Sequence, residues 1–128
     1  MRKRILLVDD SSTALMLERA ILAQRDVDLS VARDGAEAVA MAKAERPDLI
    51  LMDVVMPKMD GFEACRRIRE EPLTSGIPII MVTTRGAPDH VEQGFASGCN
   101  DYVTKPIHQR ELLEKLGALL GEEVEGVP

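Results

Sequence analysis

One apolar stretch near the middle of the chain restricts the possible folds more than any other: Asp48-Leu49-Ile50-Leu51-Met52-Asp53-Val54-Val55-Met56-Pro57. Its run of Leu, Ile, Leu and Met has no polar alternation, which is typical of a strand that is covered on both faces in a parallel sheet. Pro57 cannot donate a ladder hydrogen bond, so the strand must end before it. We therefore expect Asp53 at the carboxyl end of a central strand, the edge at which open α/β sheets bind ligands.

The composition limits the class of protein. With 128 residues, the chain has the length of one domain and can bury one core. Acidic residues outnumber basic ones by 22 to 16, which gives a formal net charge of -6. This charge has the wrong sign for a nucleic-acid surface. We therefore expect no direct nucleic-acid binding by this chain.

The sequence does not have the pattern of a secreted or membrane-bound protein. A basic segment at residues 2–4 precedes an apolar run, but Asp9 and Asp10 end that run far short of a signal peptide. The other apolar runs are too short to span a bilayer. Cys65 and Cys99 form neither a close pair nor a metal-type spacing, which favours two reduced thiols. We expect a cytoplasmic protein that has no membrane partner.

Segments with the composition of strands alternate along the chain with segments that have the pattern of helices. The predicted strands are 5–8, 28–32, 48–53, 77–83 and 102–104, and the predicted helices are 14–22, 36–45, 62–71, 88–96 and 107–120. Ser11, Ser12 or Thr13 can cap the first helix, and Asp60 can cap the third. Because parallel strands need right-handed crossovers, this order predicts an α/β fold, a doubly wound five-stranded parallel sheet with five helices on its two faces.

The first helix has more apolar positions than one buried face requires. One face carries Ala14, Leu17 and Ile21, and another carries Leu15, Met16 and Leu22. Two interpretations are open: a broad stripe that packs entirely on the sheet, or a stripe of which part stays exposed for a partner helix.

The fourth helix has a weak pattern. Gly94 lies inside it, and Val91 and Phe95 are its large apolar side chains. Because only these two offer large apolar contacts, we expect this helix to be the most mobile of the five.

Several strand ends carry residues that can do chemistry together: Asp9, Asp10, Asp53, Thr83 and Lys105. Parallel strands end at the same edge of the sheet, so these side chains should converge. Carboxylates gathered this closely repel one another unless a cation lies among them or one takes up a proton. Hard oxygen ligands completed by water suit Mg²⁺. A metal and an ammonium group can stabilise a transferring phosphoryl group, for which a carboxylate can act as nucleophile and a hydroxyl as hydrogen-bond donor.

Four motifs, taken together, resemble those of the receiver domains of two-component response regulators. They are Val8-Asp9-Asp10, Asp53-Val54-Val55-Met56-Pro57-Lys58-Met59-Asp60-Gly61, Val82-Thr83-Thr84 and Asp101-Tyr102-Val103-Thr104-Lys105-Pro106. The resemblance covers residues 5–120 and implies a flavodoxin-like sheet of order 2-1-3-4-5. It also implies a domain over residues 1–121, which a short acidic tail follows at 122–128.

The resemblance implies a role for each motif residue. Asp53 would accept a phosphoryl group from the phosphohistidine of a sensor histidine kinase or histidine phosphotransfer protein. The Mg²⁺ ligands would be Asp10, Asp53 and the carbonyl of Val55, with Asp9 acting mostly through water. The chain would thus catalyse only its own phosphorylation and dephosphorylation.

The remaining motif residues would transmit the signal. Lys105 would pair with the phosphoryl group, Thr83 would shift to bond it, and Tyr102 would turn inward. The surface of the fourth helix, last strand and last helix would then bind a downstream target or effector domain. A phosphoryl group adds charge and acceptor oxygens, which supports such a switch on physical grounds. The resemblance further implies a cis peptide between Lys105 and Pro106.

Three positions depart from the family pattern or tune the lifetime of the phosphoryl group in the family. Thr84 stands where the family usually has a smaller residue, and its bulk can hinder an attacking water. Val55 is apolar and Arg85 is long, so neither is suited to position that water. Our hypothesis is a phosphorylated state longer-lived than that of the fast chemotaxis regulators.

Three other functions compete with this interpretation. A phosphohydrolase of the haloacid dehalogenase type needs a second acid two residues after its nucleophile, where this chain has Val55. A flavodoxin-like carrier would place its flavin phosphate near Asp9 and Asp10, which would repel it. A phosphate-independent scaffold would not need the complete set of acids, Thr83 and Lys105. A receiver segment from a larger regulator also remains possible.

The histidines and cysteines have simpler interpretations. We predict that His90 and His108 are solvated surface residues and not phosphorelay histidines. Cys65 is expected to fill the core and Cys99 to lie in a loop.

Overall fold

The computed structural model describes residues 2–84 and 88–121. In this part of the chain, strands and helices alternate strictly. Their order is β1 (Lys3–Val8), α1 (Ser12–Leu22), β2 (Val27–Ala32), α2 (Gly35–Glu45), β3 (Leu49–Asp53), α3 (Gly61–Glu70), β4 (Ile79–Thr84), α4 (Pro88–Ser97), β5 (Asp101–Lys105) and α5 (Gln109–Leu120). The predicted alternation is therefore confirmed, with boundaries that shift by one or two residues.

The strands form one parallel sheet of order β2-β1-β3-β4-β5. This is the doubly wound, flavodoxin-like arrangement expected from the sequence. β3 lies at the centre, and each of its residues is buried, which explains its continuous apolar run. Among the described residues, no helix combines the length and the apolar character needed to cross a lipid bilayer.

The two faces of the sheet carry separate hydrophobic clusters. One cluster joins Leu7 and Leu51 of the sheet to Leu15 of α1 and Leu112 of α5, and we call this the α1–α5 side. The other joins Met52 and Met81 of the sheet to residues of α2 and α3, and it extends to Cys99, which follows α4. We call this the α2–α4 side. Alternate residues of each strand supply the two clusters, as the pleat requires.

Helix α1 exposes part of its apolar surface. Leu15, Ile21 and Leu22 are buried, whereas Met16 is 70% exposed and Leu17 is 46% exposed. The apolar stripe therefore does not pack entirely on the sheet. Of the two open interpretations, the structure favours the one in which part of the stripe faces solvent.

Helix α4 contacts the sheet through a small residue. Phe95, one of its two large apolar side chains, is 47% exposed and does not belong to the core. Gly94 makes the close contact instead, since a Cβ atom built there would lie 3.2 Å from Cys99 Sγ and 3.5 Å from Met81 Cγ. A glycine at this position lets the helix backbone approach the sheet, and the large side chain one residue later consequently points outward.

The two histidines differ in environment. His108 is exposed and precedes α5, as predicted. His90 was expected to be solvated, but it is half-buried, and its ring contacts the ring of Phe62 edge to face at 5.6 Å. Packing of α4 on α3 causes this difference, which the pattern of α4 alone does not predict.

A carboxyl group interrupts the buried stripe of α1. Glu18 is 1% exposed, and its Oε1 has no hydrogen-bond partner among the described residues. Its pKa is raised to about 8, chiefly by burial and also by the charges of Asp9 and Asp53, while Lys105 opposes the shift. The side chain therefore lies on the α1–α5 side near the charged strand ends, and it holds a proton near neutral pH.

We expect Glu18→Gln to flatten the pH dependence of stability. The pKa of Glu18 is raised on folding, so the folded chain binds the extra proton between pH 4.5 and about 8, and wild-type stability falls as pH rises through this window. The free energy of unfolding of the variant minus that of wild type should increase by on the order of 1 kcal/mol per pH unit between pH 5 and 8. This difference in the free energy of unfolding is measured by urea unfolding of both proteins in the presence of a metal chelator. A difference that stays constant across this pH range would contradict the assignment.

Candidate functional site

The sheet register brings the chemical residues of the sequence to one edge. Val8 pairs with Met52, so Asp9 and Asp53, the next residue of each chain segment, are neighbours. Asp53 in turn pairs with Val82, which directly precedes Thr83. Thr84 pairs with Lys105 on the other side of β4. Residues that are far apart in the sequence thus meet because parallel strands end together.

Three carboxylates form a compact group at this edge. Asp9, Asp10 and Asp53 each offer an oxygen atom, and these oxygens all lie within 4.8 Å of one another. Asp9 and Asp53 are buried, whereas Asp10 is exposed. Asp9 Oδ2 is also buried and has no hydrogen-bond partner within the described part of the chain. The group thus offers two buried acids, a carboxylate oxygen of Asp9 without a hydrogen bond, and an exposed acid, Asp10, that faces water. These features fit a hard divalent cation such as Mg²⁺.

Lys105 provides the positive charge of the site. Its Nζ lies 3.3 Å from Asp53 Oδ2 and 3.5 Å from Asp9 Oδ2. Burial lowers the pKa of Lys105, but the attraction of both carboxylates outweighs this effect and raises the pKa above its usual value. The ammonium group is therefore fixed between the two acids. The peptide bond from Lys105 to Pro106 is cis, as the resemblance implies.

The site raises the pKa of Asp53 to about 6. Burial is the largest cause and the repulsion of Asp9 acts in the same direction, while Lys105 and the amide of Val54 oppose the shift. At pH 7 the group is still mostly ionised, on the order of 90% for a pKa near 6. Asp53 is thus a buried carboxylate in contact with an ammonium group.

The loop after β3 shapes the rim of the site. Gly61 donates a hydrogen bond to the carbonyl of Val54 at 2.8 Å, and a Cβ atom on Gly61 would lie only 2.3 Å from the carbonyl oxygen of Asp53. Only glycine permits this close approach. The side chain of Asp60 caps α3 by accepting from the amide of Glu63, as predicted. Val55, two residues after Asp53, is 62% exposed.

Thr83 and Tyr102 lie on the other side of the sheet from the acids. The pleat places Thr83 with Met81, and Tyr102 pairs with Met81 and packs against the same cluster. Thr83 Oγ1 is buried and has no partner in residues 2–84 and 88–121. Tyr102 is half-buried, and its ring meets the ring of Phe95 at 6.1 Å. The hydroxyl of Thr83 is therefore free to accept or donate a new hydrogen bond.

Sequence reasoning missed two residues near the acids. Glu18 is one of them, and the only available signal was an acid on the inward stripe of α1. Arg33 is the other, since it donates to the carbonyl oxygen of Asp10 at 3.2 Å and to Ser12 Oγ at 3.1 Å. It ties the loop after β2 to the loop that carries Asp10. Nothing in the sequence pattern around Arg33 predicts these contacts.

Two sequence-based predictions concern segments outside the described residues. They are the effect of Arg85 on phosphoryl lifetime and the acidic tail at 122–128. The thiols agree with expectation in part. Cys65 fills the core, and Cys99 lies in the loop after α4 but is buried there.

Comparison with known proteins identifies the family. The response regulator receiver domain family matches residues 5–117. The protein PilH of Pseudomonas aeruginosa is 40% identical over 117 residues, which cover 91% of this chain and 97% of PilH. The response regulator PleD of Caulobacter vibrioides is also 40% identical, over 119 residues, but these cover 93% of this chain and only 26% of PleD.

A solved structure shares the fold and carries a metal. The receiver domain of the sensor histidine kinase PA1611 from Pseudomonas aeruginosa has a TM-score of 0.88 and 33% identity, and the similarity covers 95% of this chain and 100% of that one. Its structure holds a magnesium ion in the active site cleft. These similarities decide against the dehalogenase-type hydrolase and the flavodoxin-like carrier. With the sheet order and the acids at its edge, they establish that this chain belongs to the receiver domain family of two-component response regulators.

Proposed function

We propose that Asp53 accepts a phosphoryl group from the phosphohistidine of a sensor histidine kinase or histidine phosphotransfer protein, and that the modified chain then binds a downstream target. One observation supports this most directly. The carboxylate of Asp53 is buried beside Asp9, with Lys105 Nζ at 3.3 Å. Asp9 is also buried and lies 3.5 Å from this ammonium group, but Asp53 makes the shorter contact and accepts its hydrogen bond. An ammonium group at this distance can stabilise a transferring phosphoryl group.

The reaction is an attack of an Asp53 carboxylate oxygen on phosphorus. A bond from oxygen to phosphorus forms, the bond from phosphorus to the donor nitrogen breaks, and the imidazole leaves with the electron pair. Lys105 stabilises the negative charge of the phosphoryl oxygens, since its Nζ already contacts Asp53. In this proposal the chain catalyses only its own phosphorylation and dephosphorylation, which agrees with the regulatory role of the family.

The acids supply a site for Mg²⁺. We place Asp10, Asp53 and the backbone carbonyl of Val55 among its direct ligands, with Asp9 acting mostly through water. The bound ion would neutralise charge on the acids and on the phosphoryl oxygens during transfer. The exposure of Asp10 supports this assignment, because Mg²⁺ retains several water ligands.

The signal would pass across the sheet through Thr83 and Tyr102. A phosphoryl group brings new acceptor oxygens to the edge where Thr83 Oγ1 is buried without a partner in the described residues. We propose that Thr83 turns to donate to one of them and that Tyr102 moves inward beside it. The surface of α4, β5 and α5 would change as a result, and it would be the surface that binds the target or effector domain.

The remaining assignments are broader. We propose a domain over residues 1–121 with an acidic tail at 122–128, a cytoplasmic location, and no direct contact with nucleic acid or membrane. The two relatives support both a stand-alone regulator, as in the near-complete coverage of PilH, and a segment of a larger one, as in the partial coverage of PleD.

We expect acetyl phosphate and Mg²⁺ to add one phosphoryl group to the protein. Intact mass should rise by one such group in wild type and not in Asp53→Asn, and hydroxylamine should remove it because an acyl phosphate is labile. Asp60→Asn is the matched control, since it changes an exposed acid of the same loop to another good capping residue and should leave the modification intact. An unmodified wild type would instead favour a phosphate-independent scaffold.

Mg²⁺ should bind more weakly at low pH. A proton and the metal compete for Asp53, whose pKa is about 6, so the affinity falls as pH decreases through this value. For this group alone, the dissociation constant should be about tenfold higher at pH 5 than at pH 7. Calorimetric titration of the unphosphorylated protein measures it, and Asp53→Asn should show weaker binding with a smaller pH dependence. Equal affinity of wild type at both pH values would rule this competition out.

Loss of the phosphoryl group should be slow. The side chain of Val55 is exposed at the rim but cannot hydrogen-bond a water, whereas the side-chain amide of an asparagine in its place can. Purified phosphorylated Val55→Asn should lose the group several-fold faster than wild type, and Val55→Leu should behave like wild type. Decay is followed by intact mass at fixed Mg²⁺ concentration. A wild type that decays as fast as Val55→Asn would refute the hypothesis.

A further inference from the structure

The ring of Tyr102 lies between two helices. On one side it meets the ring of Phe95 from α4 edge to face, with centroids 6.1 Å apart and planes at 89°. On the other side, Lys115 of α5 places its Nζ 4.8 Å from the ring centroid. An ammonium group over an aromatic face is attracted by its quadrupole. Tyr102 thus connects α4 and α5 across β5.

Lys115 is held in place by other groups. Its Nζ lies 3.2 Å from Asp101 Oδ1 and 3.3 Å from Glu111 Oε2, and it also donates to the carbonyl oxygen of Tyr102. The side chain is only 23% exposed. Asp101 Oδ1 also accepts from the amide of Tyr102 at 2.8 Å, so these contacts are anchored on the backbone of β5. The ammonium group therefore has a fixed position that does not depend on the tyrosine ring.

A movement of the ring would break one contact and leave the rest. If Tyr102 turns inward toward Thr83, its backbone and the carboxylates of Asp101 and Glu111 still hold Lys115. The ammonium group cannot follow the ring without losing these partners. We call the ring position seen in this structure, against Phe95 and beneath Lys115, the outward position. An inward turn of the ring would remove its contact with Lys115.

We propose that Lys115 is a positioning residue that holds Tyr102 in its outward position and thereby opposes the switch. This inference rests on the proposed function, in which phosphorylation of Asp53 favours the inward ring. In this proposal the inward conformer is the one that reacts with a phosphoryl donor. A contact that stabilises the outward ring therefore lowers the population of the reactive conformer and slows phosphorylation by up to the same factor. The ion pairs of Lys115 therefore determine how readily the surface of α4, β5 and α5 changes when Asp53 is phosphorylated.

The ring position can be observed directly, because the chain contains one Tyr and no Trp. Excitation in the tyrosine band, at a longer wavelength than phenylalanine absorbs, therefore reports Tyr102 alone. Quenching by neutral acrylamide reports the solvent access of the ring, and the inward ring should be quenched less. Wild type is compared before and after incubation with Mg²⁺ and acetyl phosphate, and the extent of modification is followed by intact mass.

We expect Lys115→Met to shift the resting protein toward the inward position. Acrylamide quenching of the unmodified variant should lie between the values of unmodified and phosphorylated wild type. Phosphorylation by acetyl phosphate should be about two- to fivefold faster, the fold-change that corresponds to the lower range of cation–π contacts. Lys115→Gln also removes the cation but keeps a polar side chain, and it should have the same effect as Lys115→Met. Lys115→Arg keeps the cation and should restore wild-type behaviour.

Two controls separate the positioning role from general effects. Lys43→Met makes the same chemical change at an exposed lysine of α2, which pairs with Glu71 at 3.6 Å, and it should change neither quenching nor rate. Tyr102→Leu removes the ring, so adding Lys115→Met to it should not change the phosphorylation rate further. A lysine effect that persists without the ring would overturn the proposal.

The outcomes also distinguish this proposal from the proposed function. If wild type is modified at Asp53 and its tyrosine becomes protected, but Lys115→Met and Lys115→Gln behave as wild type, the positioning role is wrong and the proposed function stands. If wild type is not modified, or Tyr102 does not become protected on modification, the switch itself is wrong and the positioning role falls with it.

Discussion

The contact of one ammonium group with two buried carboxylates is the interaction on which the rest of the site depends. Asp9 and Asp53 lie at the ends of neighbouring strands, and Lys105 reaches both at 3.5 and 3.3 Å. Charges this deep in a protein are tolerated only when they are paired. One lysine does not balance three acids, so the edge keeps a negative charge that attracts a divalent cation. The same imbalance raises the pKa of Asp53, because burial and Asp9 together exceed the effect of Lys105.

The pleat of the sheet separates the charged part of the site from the part proposed to respond to it. Asp53 continues the row of Leu51 on the α1–α5 side, and Lys105 continues the row of Val103 on that same side. Thr83 continues the row of Met81, on the side where Tyr102 packs. A change of charge at the edge can therefore reach the opposite face through one strand end. In the proposed mechanism, Thr83 is the residue at which the two sides meet.

Much of this arrangement follows from local sequence patterns. Strands such as β3 are visible as apolar runs because both of their faces are buried, and Asp60 was predicted as a cap because its side chain acts within one turn. Contacts between helices could not be predicted in this way. The sequence did not predict that Phe95 is exposed, and His90 was wrongly expected to be solvated, since the close approach of Gly94 and the contact with Phe62 depend on how α4 packs.

By itself, the sequence determined the order of the elements, the parallel sheet and the gathering of Asp9, Asp53 and Lys105 at one edge. These features follow from hydrophobic period and from topology, which local composition already constrains. Only the tertiary structure decided that Glu18 is buried near the acids, that Arg33 donates to the loop of Asp10, and that Lys115 lies over the ring of Tyr102. From the sequence alone, a charged side chain on a helix or in a loop is expected to be exposed to solvent. Its real partners depend on which elements pack beside it, and three-dimensional packing alone sets those distances.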